Sequence, residues 1–486
     1  MVSKFRSGEA SPRGERGTVL SSVVRRVPEI GQLPPLPPAP VALAPATAPA
    51  RARRAAGRHR RRRRPVIVTA TLAVIATVMP LWLLITWPPA RYFAYGAWLM
   101  PLLELALLTA GQAWFRWGYR EAPPGQFTEM IIQVTTAGRE PVRVGEILKE
   151  IRDCAPSMEY QVWVVTEPGT PDDYPLADRV LVVPASFTAL SRGKARALEY
   201  SRQVRHAEGL DRADVKVLFN DDDVTLTQGY IERAFRADYD ICEGVVTPRV
   251  SYAVRPLSHF VASHADDIRT HACLVYCSVF QGLLGRPLHV HGEGMTVTGS
   301  AERRITWDIP LTASEDLAFG QRAAADKELS WGWFREYAEI TSPWSLRDFL
   351  TQRRRWLWGD LHAIRHRDVM PASAAVAVSL KYVAGLAGLV CSVAGLYLRV
   401  TGRVPASAPI LSWAKLSVLA WIGVIFACGW IGAGHAREHD SRLLAGIMAV
   451  VFMPVSVLVT FAAVVIPFAQ GDPRSFQVIS KTRAAR

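Results

Sequence analysis

Residues 217–224 read Val-Leu-Phe-Asn-Asp-Asp-Asp-Val, and this stretch decides the fold. Its apolar first half is typical of a buried strand, and the polar residues that follow mark where the strand stops. Asp221, Asp222 and Asp223 are then presented together at the tip of that strand. The stretch therefore predicts a sheet whose edge carries a group of carboxylates.

These three aspartates would repel one another unless a cation lay among them. Their hard oxygen atoms suit Mg²⁺ or Mn²⁺, which take one or two protein carboxylates and fill the remaining positions with water and substrate phosphates. Alternate side chains face the same way in an extended chain, so Asp221 and Asp223 are the predicted metal ligands and Asp222 is directed elsewhere. Taken alone, a solvated turn explains the same residues equally well.

Strands alternate with helices on both sides of this stretch. Apolar runs over residues 128–135, 160–166 and 179–183 precede the strand that ends at Asp221, with helical patterns between them. This order predicts an α/β domain with a parallel, doubly wound (Rossmann-like) sheet that binds ligands at the carboxyl ends of its strands. Glu167, like the three aspartates, falls at such an end.

Long apolar runs flank this polar block, and each is long enough to cross about 30 Å of hydrocarbon. They cover residues 66–87, 92–115, 373–398, 410–434 and 443–468. The sequence therefore predicts an integral membrane protein. Its predicted segments are a disordered tail (1–64), two spans (65–115), a catalytic block (116–342), an amphipathic interfacial helix (343–372), about three spans (373–468) and a basic tail (469–486).

The distribution of charge predicts the orientation. Of the net charge of +14, +12 belongs to residues 1–64, whose Arg-rich end borders the first span. Positive flanks favour the cytoplasmic side and anionic membrane lipids, which places the polar block in the cytoplasm, at the plasma membrane if the source is bacterial. The basic tail would then lie outside, against this tendency, so the number of C-terminal spans stays open. No stacking aromatics interleave the arginines, which argues against a nucleic-acid partner.

Cysteine and histidine spacing disfavours a zinc site. Cys273 and Cys277 are four residues apart, but no second pair of this kind accompanies them. The histidines between residues 259 and 291 are irregularly spaced. We therefore expect reduced thiols and no zinc.

Basic and acidic side chains elsewhere in the block are candidates for substrate contacts. Lys194 and Arg196 open a helix, where two cations and a helix N-terminus suit a diphosphate, although a solvated basic turn would look the same. Gly292 could let the backbone approach a sugar ring closely, or could mark a turn. Glu315 and Asp316 begin another helix, where acids commonly act as caps; the functional alternative makes Asp316 a general base.

A last candidate is the helix predicted over residues 346–359. Gln352, Arg355 and Trp356 share one of its faces and are suited to bind sugar and phosphate. Apolar residues of the same helix, Leu346 and Leu350 among them, suit a lipid interface.

Together these segments resemble the membrane-bound inverting glycosyltransferases of family 2, which include cellulose, chitin and hyaluronan synthases. That family carries, in order, an acid after the second strand, Asp-x-Asp, Glu-Asp and Gln-x-x-Arg-Trp. The matching residues are Glu167, Asp221 with Asp223, Glu315 with Asp316, and Gln352 with Arg355 and Trp356. Residues 126–366 are most similar to the egghead-type β-1,4-mannosyltransferases. Glu167 departs from the usual Asp, and Asp222 and Asp223 replace two glutamates.

The resemblance implies a GT-A fold and a nucleotide-diphosphate sugar donor, with GDP-mannose as one candidate. It implies Mg²⁺ or Mn²⁺ on Asp221 and Asp223, charge neutralisation by Lys194 and Arg355, and proton removal by Asp316. The acceptor would be a glycan or a lipid-linked molecule, and direct displacement would give a β-linkage.

Two other functions fit the same residues. One is a processive polysaccharide synthase that exports its product. The other, from a different class, is a metal-dependent phosphohydrolase that acts on lipid-linked diphosphates, since clustered aspartates and Mg²⁺ serve that chemistry too. A membrane scaffold in which the acids only cap helices is a third alternative.

Overall fold

The computed structural model describes residues 109–379 with short gaps, together with parts of 382–402 and 451–479. The gaps are residues 112, 155, 171–172, 250–256, 267–268, 271–272, 312 and 367–368. The basic tail predicted over residues 1–64 and much of the apolar runs lie outside these residues. Among the helices that are described, none combines the length and the apolar character needed to cross a bilayer.

The described strands form one sheet, and helices precede or follow most of them. The strands are β1 (Glu129–Thr136), β2 (Tyr160–Thr166), β3 (Arg179–Val182), β4 (Val215–Asp221), β5 (Val224–Leu226), β6 (Ile241–Arg249), β7 (Thr296–Thr298) and β8 (Trp331–Thr341). The α-helices are α1 (Pro141–Asp153), α2 (Lys194–Ala207), α3 (Gln228–Arg236), α4 (Leu257–Asp266), α5 (Gly299–Arg304), α6 (Glu315–Ala325) and α7 (Leu346–Arg365). Two π-helices cover Trp114–Gly118 and Cys273–Leu283.

The first half of the sheet is parallel. Strand β1 pairs with β2 on one side and with β4 on the other, and β2 pairs with β3. Along β1, Met130, Ile132 and Val134 pack with α1, whereas Ile131 faces the opposite way and packs with α2. This alternation places helices on both faces of the sheet and confirms the doubly wound arrangement for this half.

The second half of the sheet is mixed, so the prediction of an entirely parallel sheet was wrong. The order is β3-β2-β1-β4-β7-β6-β8-β5. Strand β7 is antiparallel to both β4 and β6, and β5 is antiparallel to β8. Apolar periodicity identifies a strand but does not report the direction in which it pairs, and β5 and β7 are three residues long.

Helix α7 begins where the sequence predicts and is packed on protein along much of its length. Phe349 and Leu357 are buried, and Leu346 and Leu350 pack beside Phe349 against α4 and Ala463. These apolar side chains are thus covered by protein, and the lipid-interface placement of the helix stays a prediction.

The start of α6 is fixed against α7. Ser314, which precedes α6, adopts a left-handed conformation with φ of 59° and donates its hydroxyl to Asp360 Oδ1 at 2.8 Å. Gly359 lies at the crossing, where an added Cβ would be 2.4 Å from Ser314 Oγ and 3.1 Å from Ala313 Cβ. The two helices therefore approach closely only because residue 359 has no side chain.

Candidate active site

Asp221 and Lys194 connect the tip of the sheet with the start of a helix. Asp221 is the last residue of β4, and Lys194 is the first of α2. Lys194 Nζ lies 2.5 Å from Asp221 Oδ1 and 4.0 Å from Glu315 Oε1. Burial opposes the charge of Lys194, but the carboxylates of Asp221, Glu315 and Glu293 hold its pKa above the ordinary value. The ammonium therefore stays charged between β4 and α6.

The other two aspartates of the triplet face different partners. Asp222 Oδ2 accepts a hydrogen bond from Thr136 Oγ1 at 2.7 Å, which turns it toward the end of β1. Asp223 is buried, and its backbone carbonyl accepts from the Thr341 amide and hydroxyl, both at 3.1 Å. The turn that carries the triplet is thus fixed to β1 and to β8.

Asp316 lies in the same cleft as Asp221. Its Oδ2 accepts from the Gly292 amide at 3.0 Å, and its Oδ1 accepts from the Leu317 amide at 2.8 Å. A Cβ added to Gly292 would be 3.1 Å from Lys194 Nζ and 3.3 Å from Asp316 Oδ2. The ammonium that binds Asp221 and the carboxylate of Asp316 therefore flank the same glycine.

Asp316 has the electrostatic character of a general base. Burial and the negative charge of Glu315 raise its pKa to about 7, against the opposing effect of Lys194. A carboxyl group with a pKa near the working pH is partly ionised and can accept a proton from a substrate.

Glu293 and Arg269 form a partly buried ion pair beside this cleft, with Arg269 Nη2 2.8 Å from Glu293 Oε1. Burial opposes ionisation of Glu293, but the charges of Arg269, Lys194 and His291 outweigh it and lower the pKa to about 2. Glu293 is thus a permanently charged neighbour of Lys194, Asp221 and Asp316. Neither partner could be recognised from sequence patterns, because their contact joins segments 24 residues apart.

Glu167 and Arg196 bind each other. Arg196 Nη1 lies 2.6 Å from Glu167 Oε2, and the same guanidinium donates to the carbonyls of Pro184 and Phe187. None of the contacts described for Arg196 reaches the cleft around Asp221. The structure therefore separates the predicted cation pair: Lys194 reaches the acids, whereas Arg196 fixes Glu167 and the segment after β3.

Helix α7 supplies the last three candidates. Gln352 is buried, and its Oε1 has no hydrogen-bond partner among the described residues. Burial lowers the pKa of Arg355, while carboxylates that include Glu315, Asp221 and Asp316 oppose that shift. The Arg355 guanidinium is thus close enough to these carboxylates to interact with them electrostatically.

Trp356 contacts two guanidinium groups. The Cζ atoms of Arg353 and Arg269 lie 4.3 and 5.1 Å from the centroid of its ring. Arg353 in turn binds Asp266 at 2.6 Å. Trp356 therefore anchors α7 to the Arg269–Glu293 pair through cation–π contacts.

The acids of the cleft fit a hard divalent cation. Burial and the charges of Glu293 and Asp222 raise the pKa of Asp221, although Lys194 opposes that shift. Glu293 and Asp222 thus add negative charge beside Asp221, which favours a further cation. Asp221 and Asp223 offer oxygen ligands within one turn, and such ligands suit Mg²⁺ or Mn²⁺.

A second cluster brings two cysteines and a histidine together. The potential ligand atoms of Cys273, Cys277 and His291 all lie within 4.8 Å of one another. The expectation of no zinc considered only ligands that are close in sequence, and it stays a prediction. The fold brings His291, 14 residues beyond Cys277, against both cysteines.

The fold is an α/β sheet with charged side chains gathered where strands end and helices begin. A family model described as Glycosyl transferase family group 2 matches residues 216–468. This match covers more than half of the 486 residues. The chain belongs to glycosyltransferase family 2, and its α/β sheet is mixed.

Individual proteins show weaker similarity. The beta-1,4-mannosyltransferase egh of Drosophila melanogaster is 26% identical over 257 residues, which are 49% of this chain and 53% of that protein. The chain therefore spans about half the length of this relative.

Two solved structures are also similar to the chain. The mannosyltransferase PcManGT from Pyrobaculum calidifontis, in complex with GDP-Man and Mn²⁺, has a TM-score of 0.43 and 15% identity, covering 78% of this chain and 98% of that chain. A mycobacterial protein has a TM-score of 0.27 and 12% identity, covering 48% of this chain and 67% of that chain. Similarity at this level does not extend a substrate to this chain.

Proposed function

We propose that this glycosyltransferase moves a sugar from a nucleotide-diphosphate donor to a glycan or lipid-linked acceptor with inversion at the anomeric carbon. The proposal rests on the position of Asp316. Its carboxylate lies against Gly292, and so does the Lys194 ammonium, which binds Asp221. A base and a diphosphate-binding edge in one cleft are what direct displacement requires.

Asp316 removes the proton of the acceptor hydroxyl as the acceptor oxygen bonds to the anomeric carbon. The bond from that carbon to the diphosphate oxygen breaks, and the diphosphate leaves with the electron pair. The Gly292 and Leu317 amides orient the carboxylate, because each donates to a different oxygen of Asp316. Lys194 and Arg355 neutralise the negative charge that develops on the leaving diphosphate.

Asp221 and Asp223 would hold Mg²⁺ or Mn²⁺, which supplies positive charge to the diphosphate when bound. Mannose is the proposed sugar and GDP-mannose the proposed donor, supported by the β-1,4-mannosyltransferase relative. The product linkage would then be β. We further propose that the catalytic domain faces the cytoplasm and that the flanking apolar runs hold it at a membrane.

The decisive experiment compares Asp316→Asn with wild type in membranes supplied with a panel of labelled nucleotide sugars. We expect the variant to lose label transfer to lipid or polymer, since an amide cannot accept the acceptor proton, while calorimetry shows that donor binding persists. Asp326→Asn is a matched control, because Asp326 follows the other end of α6 and pairs with Arg304 at the surface.

Unchanged turnover in Asp316→Asn would overturn the proposed role of this residue. Release of sugar or phosphate without any acceptor would favour a phosphohydrolase instead. The length of the labelled product distinguishes a single transfer from processive synthesis.

A further inference from the structure

Four polar side chains meet in the interior between β6 and the π-helix Cys273–Leu283, away from solvent. They are Cys273, Cys277, His291 and Glu243, with exposed fractions of 0%, 1%, 3% and 1%. The two cysteines lie one helical turn apart and so project to the same side. Groups of this kind are costly to bury unless they bind one another or a cation.

The distances within the cluster are close to those of ligands that share one ion. His291 Nε2 lies 2.9 Å from Cys273 Sγ and 3.5 Å from Cys277 Sγ. Sulfur at 2.3 Å and nitrogen at 2.1 Å from a tetrahedral zinc ion are about 3.6 Å apart. An ion therefore requires Cys273 Sγ and His291 Nε2 to separate by about 0.7 Å, whereas Cys277 Sγ and His291 Nε2 already lie near that distance.

Hydrogen bonds around the cluster resemble those that surround ligands in protein metal sites. The Val246 amide donates to Cys273 Sγ at 3.4 Å, a bond that stabilises a thiolate. Glu243 lies beside Cys277, and its two oxygens accept from Gln281 Nε2 at 2.6 Å and from the His291 amide at 2.9 Å. Such outer hydrogen bonds orient ligands in protein metal sites.

We propose that Cys273, Cys277 and His291 bind one soft divalent ion such as Zn²⁺, with Glu243 as an outer partner that holds the His291 backbone. Sulfur and imidazole ligands select zinc over Mg²⁺ or Mn²⁺, so the site is chemically distinct from the oxygen ligands at Asp221. Its burial gives no access to substrate, and the ion is therefore structural.

The consequence for the active site follows from the sequence of the loop. His291 is followed by Gly292, whose amide binds Asp316, and by Glu293, which pairs with Arg269. An ion on His291 thus fixes the position of two residues that face the catalytic cleft. His291 acts here as a positioning residue, because its ring is buried against Cys273 and Cys277.

The test measures metal directly in the full-length protein, purified in detergent with a tag free of histidine and cysteine. We expect about one equivalent of zinc per chain by mass spectrometry, lost in Cys273→Ala and in Cys277→Ala. Cys242→Ala is the matched control, because Cys242 is equally buried on β6 and lies outside the cluster. Wild-type protein without zinc, or cluster variants that retain it, would overturn the proposal.

A second measurement does not depend on the stability of the variants. Wild-type protein stripped of metal is titrated with Co²⁺, which gives a near-ultraviolet charge-transfer band only when thiolates bind it. We expect this band in wild type and in Asp223→Asn, whose change affects only the oxygen site. Absence of the band in stripped wild-type protein would show that the cysteines and His291 are merely hydrogen-bonded, and would overturn the proposal.

Discussion

Glu293 and Asp316 lie in the same cleft, but neighbouring charges shift their pKa values in opposite directions. Glu293 faces Arg269 and Lys194, whose charges overcome burial and lower its pKa to about 2. Asp316 has Glu315 beside it, so burial and a like charge together raise its pKa to about 7. Environments that push the pKa values of neighbouring acids apart commonly distinguish a base from a fixed charge.

We expect the rate of sugar transfer to depend on the ionisation of Asp316. Below a pKa of about 7 the carboxyl is protonated and cannot act as a base, so kcat should fall as the pH drops through that value. In Glu315→Gln the like charge is removed, and the acidic limb of the profile should move to lower pH. A pH profile of kcat measures both effects, and an identical profile in Glu315→Gln would contradict this account.

At the level of secondary-structure elements, contacts between helices position the candidate site residues that can be identified from the sequence. The start of α6 could be predicted from Glu315 and Asp316, and α7 from its apolar spacing. The crossing of the two helices could not be predicted, because the close approach of Gly359 to Ser314 depends on the fold that brings them together. Arg269 escaped prediction for the same reason, since its partners Glu293 and Trp356 lie far along the chain.

Gly359→Ala tests whether this crossing positions the base. The added methyl would lie 2.4 Å from Ser314 Oγ, so α6 and α7 must shift apart and Asp316 must move relative to Arg355. We expect kcat to fall roughly 10- to 100-fold with donor affinity changed much less. Gly145→Ala on α1 is the control, because nothing lies within 4 Å of its added Cβ. Equal kcat values in the two variants would contradict a positioning role for the crossing.

A stability prediction concerns the ion pair that joins α2 to α5. Arg205 Nη2 lies 2.5 Å from Glu302 Oε1, and both side chains are almost fully buried. Arg205→Met would leave the Glu302 charge without its partner, at a cost of about 3–5 kcal/mol in the free energy of unfolding. The exposed pair of Arg212 with Asp214 is the comparison, and Arg212→Met should cost much less because solvent screens this pair. Thermal unfolding in detergent should therefore distinguish the two variants, and equal melting temperatures would refute the difference.

For the molecule as a whole, the sequence reveals the order of local motifs, whereas the fold alone reveals which distant residues meet. Strands β1 to β4 and the acids at their ends could be predicted because periodicity and strand ends are local signals. Strand β7 could not, since three residues carry too little pattern. The loop from His291 to Glu293 shows the same limit: its residues reach Cys273, Asp316 and Arg269, three partners that no spacing rule connects.

This loop contacts residues of both proposed cation sites, and metal removal can tell the two sites apart. A chelator should abolish sugar transfer, because the acids around Asp221 then lack the charge that a bound diphosphate requires. Added Mg²⁺ should restore transfer through the oxygen ligands, since thiolates do not select that ion. Asp223→Asn should need a higher concentration of Mg²⁺ for the same recovery, as measured by a titration of initial rates. Full transfer in excess chelator would contradict a metal at Asp221 and Asp223, whereas recovery with Zn²⁺ but not with Mg²⁺ would assign the loss to the cysteine cluster.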